Sequence, residues 1–299
     1  MTAVYEELVT TFLPLYQALG STLSDSERTL PAYTDPMQAI EQYAPRLSAE
    51  IAESSDKLFR EKLYTIASGT DCYDGSYTVS LPNEQTALMY LYFDNSFLDF
   101  SAAVHEFGHF HCERREQTPV LMQDNCIDIS ESQSQGMEAL FMQFYGDIFG
   151  SDAETAELCE VYNLMDAVMS GFAVGRFEAA VMEQADSLTP EEVIELYDQY
   201  CTACGIGLEL YEITHLYEQP GYYISYGVSA LAAIQLYTMM LSSKVTAMQH
   251  YGQISAVSGA SGEMRFREAM HSCGMQDIFR TGTVAAITEQ LQKRIGELT

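Results

Sequence analysis

Two histidines four residues apart, with a glutamate beside the first, stand in the run His105-Glu106-Phe107-Gly108-His109. In a helix of about 3.6 residues per turn, positions 105 and 109 lie one above the other on a single face. Two imidazoles so placed can reach one metal ion from a rigid platform. Glu106 lies next to that face, where a carboxylate can take a proton from an activated water. Residue types at this spacing suit metal-assisted hydrolysis, with zinc as the ion.

Such chemistry needs a helix, and the surrounding sequence predicts one from about Phe97 to Arg115. Phe97, Phe100, Val104, Phe107 and Phe110 recur at spacings of three and four, which describes a helix with one side packed inward. Asp94, Asn95 and Ser96 are all good helix caps, and Ala87 to Phe93 reads as a buried strand just before them. Gly108, inside the motif, costs the helix roughly 1 kcal/mol relative to alanine. Its presence predicts that something approaches the helix backbone closely.

A catalytic zinc takes three protein ligands and keeps one position open. His111, two residues past His109, points to another side of the helix and reads as a surface or supporting histidine. Asp128, between Ile127 and Ile129, reads equally as a helix-start or turn residue. The stronger candidates open and close the stretch from Glu131 to Glu138, in a run whose apolar residues take helical spacing from Met137 onward. Nearly two turns separate the two glutamates, so they share a face about 10 Å apart along the axis. One can hold the metal and the other can support the site from behind. Glu131 ranks first, yet position alone does not choose between them.

With these residues in view, the chain resembles the thimet oligopeptidase and oligoendopeptidase F zinc peptidases. That family carries HExxH on one helix and its third ligand on a later helix, in a pattern like E-x-x-S-x-x-x-E. The counterpart here is Glu131-Ser132-Gln133-Ser134-Gln135-Gly136-Met137-Glu138, which makes Glu131 the implied ligand. Gly75 to Pro82 and Ala87 to Asp94 look like the family's pair of strands. His215-Leu216-Tyr217-Glu218-Gln219-Pro220-Gly221-Tyr222-Tyr223-Ile224-Ser225-Tyr226 is similar to its His/Tyr-rich active-site segment. The likeness runs from about Asp35 to the C-terminus. It implies a mainly α, zincin-like helical catalytic domain, with a small β-hairpin or sheet before the HExxH helix. It also implies one Zn2+ per chain on His105, His109 and Glu131, with Glu106 as general base and peptides as substrates. Members of the family are usually much longer, with an N-terminal region that helps wall in the substrate channel; this chain resembles the catalytic half.

Peptide hydrolysis also needs hydrogen-bond donors aimed at the developing oxyanion. His215, Tyr222, Tyr223 and Tyr226 are the candidates. If Pro220 starts a helix, Tyr222 and Tyr226 stack at i, i+4, and Tyr223 meets Tyr226 at i, i+3. A strand edge beside the zinc helix would suit an extended peptide.

The remaining sequence sets bounds. A chain of 299 residues forms one large catalytic domain over 1–299, or two intimate lobes, with 1–34 as a helical extension. Fourteen basic against 43 acidic residues give a net charge of −29, which opposes binding to nucleic acid or anionic membranes. No charged leader precedes Arg28, and the apolar stretch from Val228 to Leu241 is too short and interrupted to span a bilayer, so a cytoplasmic protein is expected. Seven scattered cysteines are not a disulfide framework, and Cys201 and Cys204 read as packing thiols. Helices are expected over Pro36–Ala67 with a break near Pro45, Ala153–Tyr200 with breaks near Gly171 and Pro190, Val228–Met248 and Val284–Leu298. Ser255 to Gly262 reads as a loop, and Tyr77–Leu81 with Ala87–Phe93 reads as the β element.

Two rival functions fit the same residues. One is a peptide-binding protein with weak or no turnover. The other is a helical di-iron carboxylate protein, built from the E-x-x-H pairs Glu106–His109 and Glu212–His215 with Glu131 and Glu138. It leaves His105 without a role.

Overall fold

In the computed structural model, which describes residues 2–23, 35–116, 127–257 and 265–299, a body of helices carries one small sheet whose outer face is exposed. Residues 24–34 of the expected N-terminal extension, residues 258–262 of the expected loop, and Cys126 lie outside the described residues. Helix α1 (Thr2–Glu7) passes through a π-helical stretch (Leu8–Phe12) into α2 (Leu13–Thr22), burying Leu8, Phe12 and Leu19 in the common core. Helix α3 (Pro36–Tyr43) starts at Asp35, whose carboxylate accepts the backbone N–H groups of Met37 and Gln38. A 3-10 turn (Ala44–Arg46) absorbs Pro45, and Ser48 caps α4 (Ala49–Glu61).

The expected helix from Pro36 to Ala67 therefore ends six residues early. Lys62 turns the chain in the left-handed conformation (φ 55°), and Tyr64–Ala67 becomes strand β1. Thr65 and Ile66 are β-branched and favour the strand once a partner is at hand. The partner is distant in sequence. Strand β2 (Tyr77–Leu81) and strand β3 (Thr86–Tyr92) form the expected antiparallel hairpin, in register from Tyr77 opposite Tyr90 to Leu81 opposite Thr86. Strand β1 then adds parallel to the other side of β3, from Tyr64 opposite Met89 to Ala67 opposite Tyr92, so the order is β1-β3-β2. Ala87, Met89 and Leu91 of β3 point inward, and the hairpin's outer strand β2 is an edge.

Helix α5 (Phe97–Glu113) follows through Asp99, whose carboxylate accepts the N–H groups of Asp94, Asn95 and Ser96. All five predicted apolar positions of α5 are buried against the sheet and its helical neighbours. Helix α6 (Ile127–Phe141) packs along it, and a short α7 (Tyr145–Phe149) leads into α8 (Ala153–Gln184). Helix α8 is continuous, so the expected break at Gly171 does not occur. Gly171 instead permits a helix crossing: a Cβ there would lie 2.3 Å from the backbone N of Gly227. The chain restarts at Pro190 as expected, with Thr189 and Glu192 forming a capping box on α9 (Pro190–Tyr200).

A single turn, α10 (His215–Glu218), precedes α11 (Tyr223–Ser242), which lies between α6 and α8 at the centre of the molecule. By length and composition α11 could cross a membrane, but 78% of that stretch is buried inside the protein. The helix expected over Val228–Met248 is split by the extended Ser243, which caps α12 (Lys244–Ile254) by accepting the N–H of Thr246. Helices α13 (Phe266–Ser272) and α14 (Thr283–Leu298) complete the described chain.

Candidate metal centre

Gly108 has no room for a side chain, because a Cβ there would lie 2.7 Å from the Cα of Ser134. The close approach predicted for this glycine is the contact of α5 with α6. It sets His105 and His109 against Glu131, one turn before Ser134. His105 Nε2 lies 3.1 Å from His109 Nε2 and 3.3 Å from Glu131 Oε2, and His109 Nε2 lies 3.7 Å from the same oxygen. Tetrahedral zinc with bonds of about 2.0–2.1 Å requires donor atoms roughly 3.3–3.4 Å apart. The three separations straddle that value, so the donor set fits the ion. Among the described residues, this is the one group of three His, Cys, Asp or Glu side chains so arranged.

The far side of each ring is also engaged. His105 Nδ1 meets Glu138 Oε1 at 2.6 Å, and His109 Nδ1 lies 3.2 Å from Ser130 Oγ. With Nδ1 occupied, Nε2 is the nitrogen left to face a metal. The two glutamates left open by the sequence thus stand on opposite sides of His105: Glu131 faces Nε2, and Glu138 backs Nδ1. Burial alone would push the Glu131 carboxyl up, but His109, His105 and the Tyr222 hydroxyl hold it down at about 2. Burial disfavours charge on both imidazoles; Glu138 and Glu131 outweigh it at His105, whereas at His109 burial wins. Burial, with Glu106 and Glu131 nearby, pushes the Glu113 carboxyl up to about 8.

Glu106 is buried beside this group, and its Oε2 accepts the hydroxyl of Thr78 at 2.7 Å. The edge strand β2 therefore orients the glutamate directly. On the other side, Tyr222 donates to Glu131 Oε1 at 2.9 Å. Tyr222 stands just before α11 rather than inside a helix begun at Pro220. A turn through Gly221 (φ 85°) replaces that expected start, with the Gly221 N–H donated to Glu178 Oε1 at 2.6 Å. The His215 ring lies 4.6 Å from Tyr222, tilted by 34°, and Tyr226 lies 5.2 Å from Tyr222 and 5.9 Å from His215, between ring centres.

Burial raises the hydroxyls of all three tyrosines, so each is a neutral donor at pH 7. Glu131 adds to the effect at Tyr222 and Tyr226. At Tyr223 the contributing neighbours are Asp166 and Cys201. The Tyr223 ring nonetheless stays with the predicted cluster, 5.8 Å from His215 and 5.6 Å from Tyr226 between ring centres.

Several residues behave differently from the sequence expectation. His111 is buried, not superficial: its Nδ1 meets Ser54 Oγ at 2.7 Å, its Nε2 accepts from Arg115 at 3.3 Å, and burial pushes it down to about 3. It is a neutral core histidine beside a cavity of about 530 Å³ on another side of α5. Asp128, by contrast, is the helix-start residue that the sequence allowed: it sits in the first turn of α6 and accepts the N–H of Ile129. Glu212, needed for a second E-x-x-H pair, is exposed and accepts the N–H of Glu209. Thr78 and Ser130 carried no spacing signal, because each meets its partner only through tertiary contact.

No protein-family model matches this sequence, and no curated protein matches it. Solved structures do. A candidate oligoendopeptidase F superposes with a TM-score of 0.83 at 19% identity, over 99% of this chain and 57% of its own. A second, from Bacillus anthracis, gives 0.80 at 16% identity over 99% and 56%. PZ peptidase A, solved with an inhibitor, gives 0.80 at 18% identity over 99% and 57%. The chain thus has the mainly helical fold of the oligoendopeptidase F structures, with its small three-stranded sheet. It spans a little over half the length of the structures it matches.

Proposed function

We propose that this chain is a zinc-dependent peptidase that hydrolyses short peptides. The observation that carries the reading is the donor triangle of His105, His109 and Glu131, sized for zinc, with the Glu106 carboxylate beside it. Bound there, zinc would supply Lewis acidity toward the scissile carbonyl and toward a water. Every other part is supplied by the chain. Glu106, its Oε2 steadied by Thr78, takes a proton from the attacking water and hands it to the leaving amine. Tyr226 and His215 donate hydrogen bonds to the charge that develops on the carbonyl oxygen, and Tyr222 fixes Glu131. The free edge of β2, next to Glu106, offers backbone groups to an extended substrate.

A cytoplasmic setting belongs to this reading; its support is that Cys72, Cys112, Cys201, Cys204 and Cys273 are thiols outside any disulfide. The likeness to oligoendopeptidase and peptidase structures supports peptides as substrates. The test is metal analysis joined to cleavage of a quenched fluorescent peptide, with and without chelator. One zinc per chain and chelator-sensitive cleavage are expected. Zinc without cleavage would leave a peptide-binding protein, and two irons would mean the di-iron alternative.

A further inference from the structure

Behind His105 lies a second, deeper layer of carboxylate. Glu138 uses Oε1 for the imidazole, and its Oε2 lies 3.3 Å from Ser101 Oγ. The same Ser101 oxygen is 3.0 Å from Glu160 Oε1, and Glu160 Oε2 accepts the Tyr145 hydroxyl at 3.0 Å. Glu160 stands on α8, is 0% exposed, and has no Arg or Lys among these contacts. Beyond Glu138 as a candidate support, none of this was visible in the sequence, because Ser101, Glu138, Tyr145 and Glu160 come from four helices.

A count of protons limits how the chain of contacts can be filled. With both carboxylates ionised, the single Ser101 hydrogen serves only one of them, and two negative charges face one hydroxyl out of water. One proton on either carboxylate gives every gap one hydrogen, and Glu160, fully buried and away from the imidazole that Glu138 faces, is the better place for it. Tyr145 donates to Glu160, Glu160 to Ser101, Ser101 to Glu138, and His105 to the other oxygen of Glu138. The charge then rests on Glu138, next to the imidazole.

We propose that Glu160, as a neutral acid, is a positioning residue for the zinc site, orienting through Ser101 the Glu138 carboxylate that fixes the ring of His105. The inference rests on the zinc reading above. Burial and the Glu138 charge push the Glu160 carboxyl well above the usual range, in agreement with the proton count.

Three variants test it: Glu160→Gln, Glu160→Ala and Ser101→Ala. The glutamine amide can donate to Ser101 and accept from Tyr145, so E160Q should hold zinc within a few-fold of wild type in chelator competition. E160A and S101A break the relay and should weaken zinc by roughly 10–100-fold, the usual loss when the partner behind a metal-bound histidine is removed. The far-ultraviolet circular dichroism of the metal-free chains should stay unchanged. If E160A fails to fold, S101A severs the same relay with a smaller cut. A protonated-carboxyl band in the infrared difference spectrum of wild type against E160Q is also expected. Absence of that band overturns the proposal, as does an E160Q that loses as much zinc affinity as S101A. Zinc that binds wild type and S101A alike overturns this inference alone; a wild-type chain that takes up no zinc overturns the zinc reading with it.

Discussion

Gly108→Ala probes whether the metal group depends on how closely α5 approaches α6. The new methyl would lie 2.7 Å from the Cα of Ser134 and 3.0 Å from the Cβ of Met137. Ordinary contact begins at 3.4 Å, so the helices must separate by 3.4 − 2.7 = 0.7 Å, and the obstacle is backbone that cannot rotate away. Alanine gains about 1 kcal/mol of helix propensity over glycine. Forcing a methyl into a packed contact costs about 1–3 kcal/mol, so a net loss of roughly 1 kcal/mol is expected. The metal group should suffer more. Glu131 stands one turn from Ser134 and moves with it, stretching the 3.3 and 3.7 Å separations from the imidazoles. Metal sites tolerate only about ±0.2 Å in their bonds. Zinc affinity, measured by chelator competition, should fall by roughly tenfold or more, as when the supports of a metal ligand are disturbed. Gly296 in α14 is the control: no atom lies within 4 Å of its added Cβ. Gly296→Ala should gain up to about 1 kcal/mol in urea unfolding and leave zinc untouched. A G108A protein with wild-type zinc affinity and a stability gain equal to G296A would refute the reasoning.

Four further outcomes are expected. Glu106→Gln should keep one zinc per chain and lose peptide hydrolysis, since Glu106 is not among the three donors; near-normal turnover would remove it from the role of base. Glu131→Ala should weaken zinc most and Glu138→Ala less, by the roughly 10–100-fold expected for the partner behind a metal-bound histidine, and the reverse order in a titration would exchange their roles. Tyr226→Phe should lower kcat by roughly 10²–10³-fold with KM little changed, as for loss of one oxyanion donor; an unchanged kcat would assign that charge to His215. Asp166 accepts the Tyr16 hydroxyl at 2.5 Å, and burial raises its carboxyl despite that bond. A raised folded value means the group's stabilising contribution is complete at acid pH and is lost as pH rises through that value. Asp166→Asn should therefore be more stable than wild type at pH 7, with the gap closing as pH falls toward about 4. Urea midpoints at the two pH values check this, and a less stable D166N at pH 7 would contradict it.

What the sequence revealed was local. The HExxH helix, its apolar face, the β2–β3 hairpin and the need for a close contact at Gly108 follow from spacings within twenty residues. Glu131 and Glu138 share one face of one helix, so no spacing rule could rank them. Only the orientation of the His105 ring, with Nε2 toward one and Nδ1 toward the other, tells them apart. Strand β1 was hidden because Tyr64–Ala67 continues an amphipathic pattern, and its partner β3 lies more than twenty residues on. Gly171 misled for a related reason. A mid-helix glycine reads as a break unless the crossing helix, with Gly227 at the same point, is known. Tyr222, Tyr223 and Tyr226 were grouped by proximity in sequence, and their rings do gather around His215.

The proposed oxyanion donors stand on elements of unequal permanence. His215 belongs to a single four-residue turn with no buried member, slung between the buried Ile213 and the Gly221 bend. Tyr226 belongs to the first turn of α11, the helix on which α6 and α8 both close. Local opening that frees the His215 turn breaks few contacts, whereas freeing Tyr226 requires the whole core to part. Backbone amides around His215 should therefore exchange with solvent through small, frequent openings, and those of α11 only through global unfolding. The site is built from one half that can breathe while the protein stays folded and one half whose lifetime is that of the fold itself.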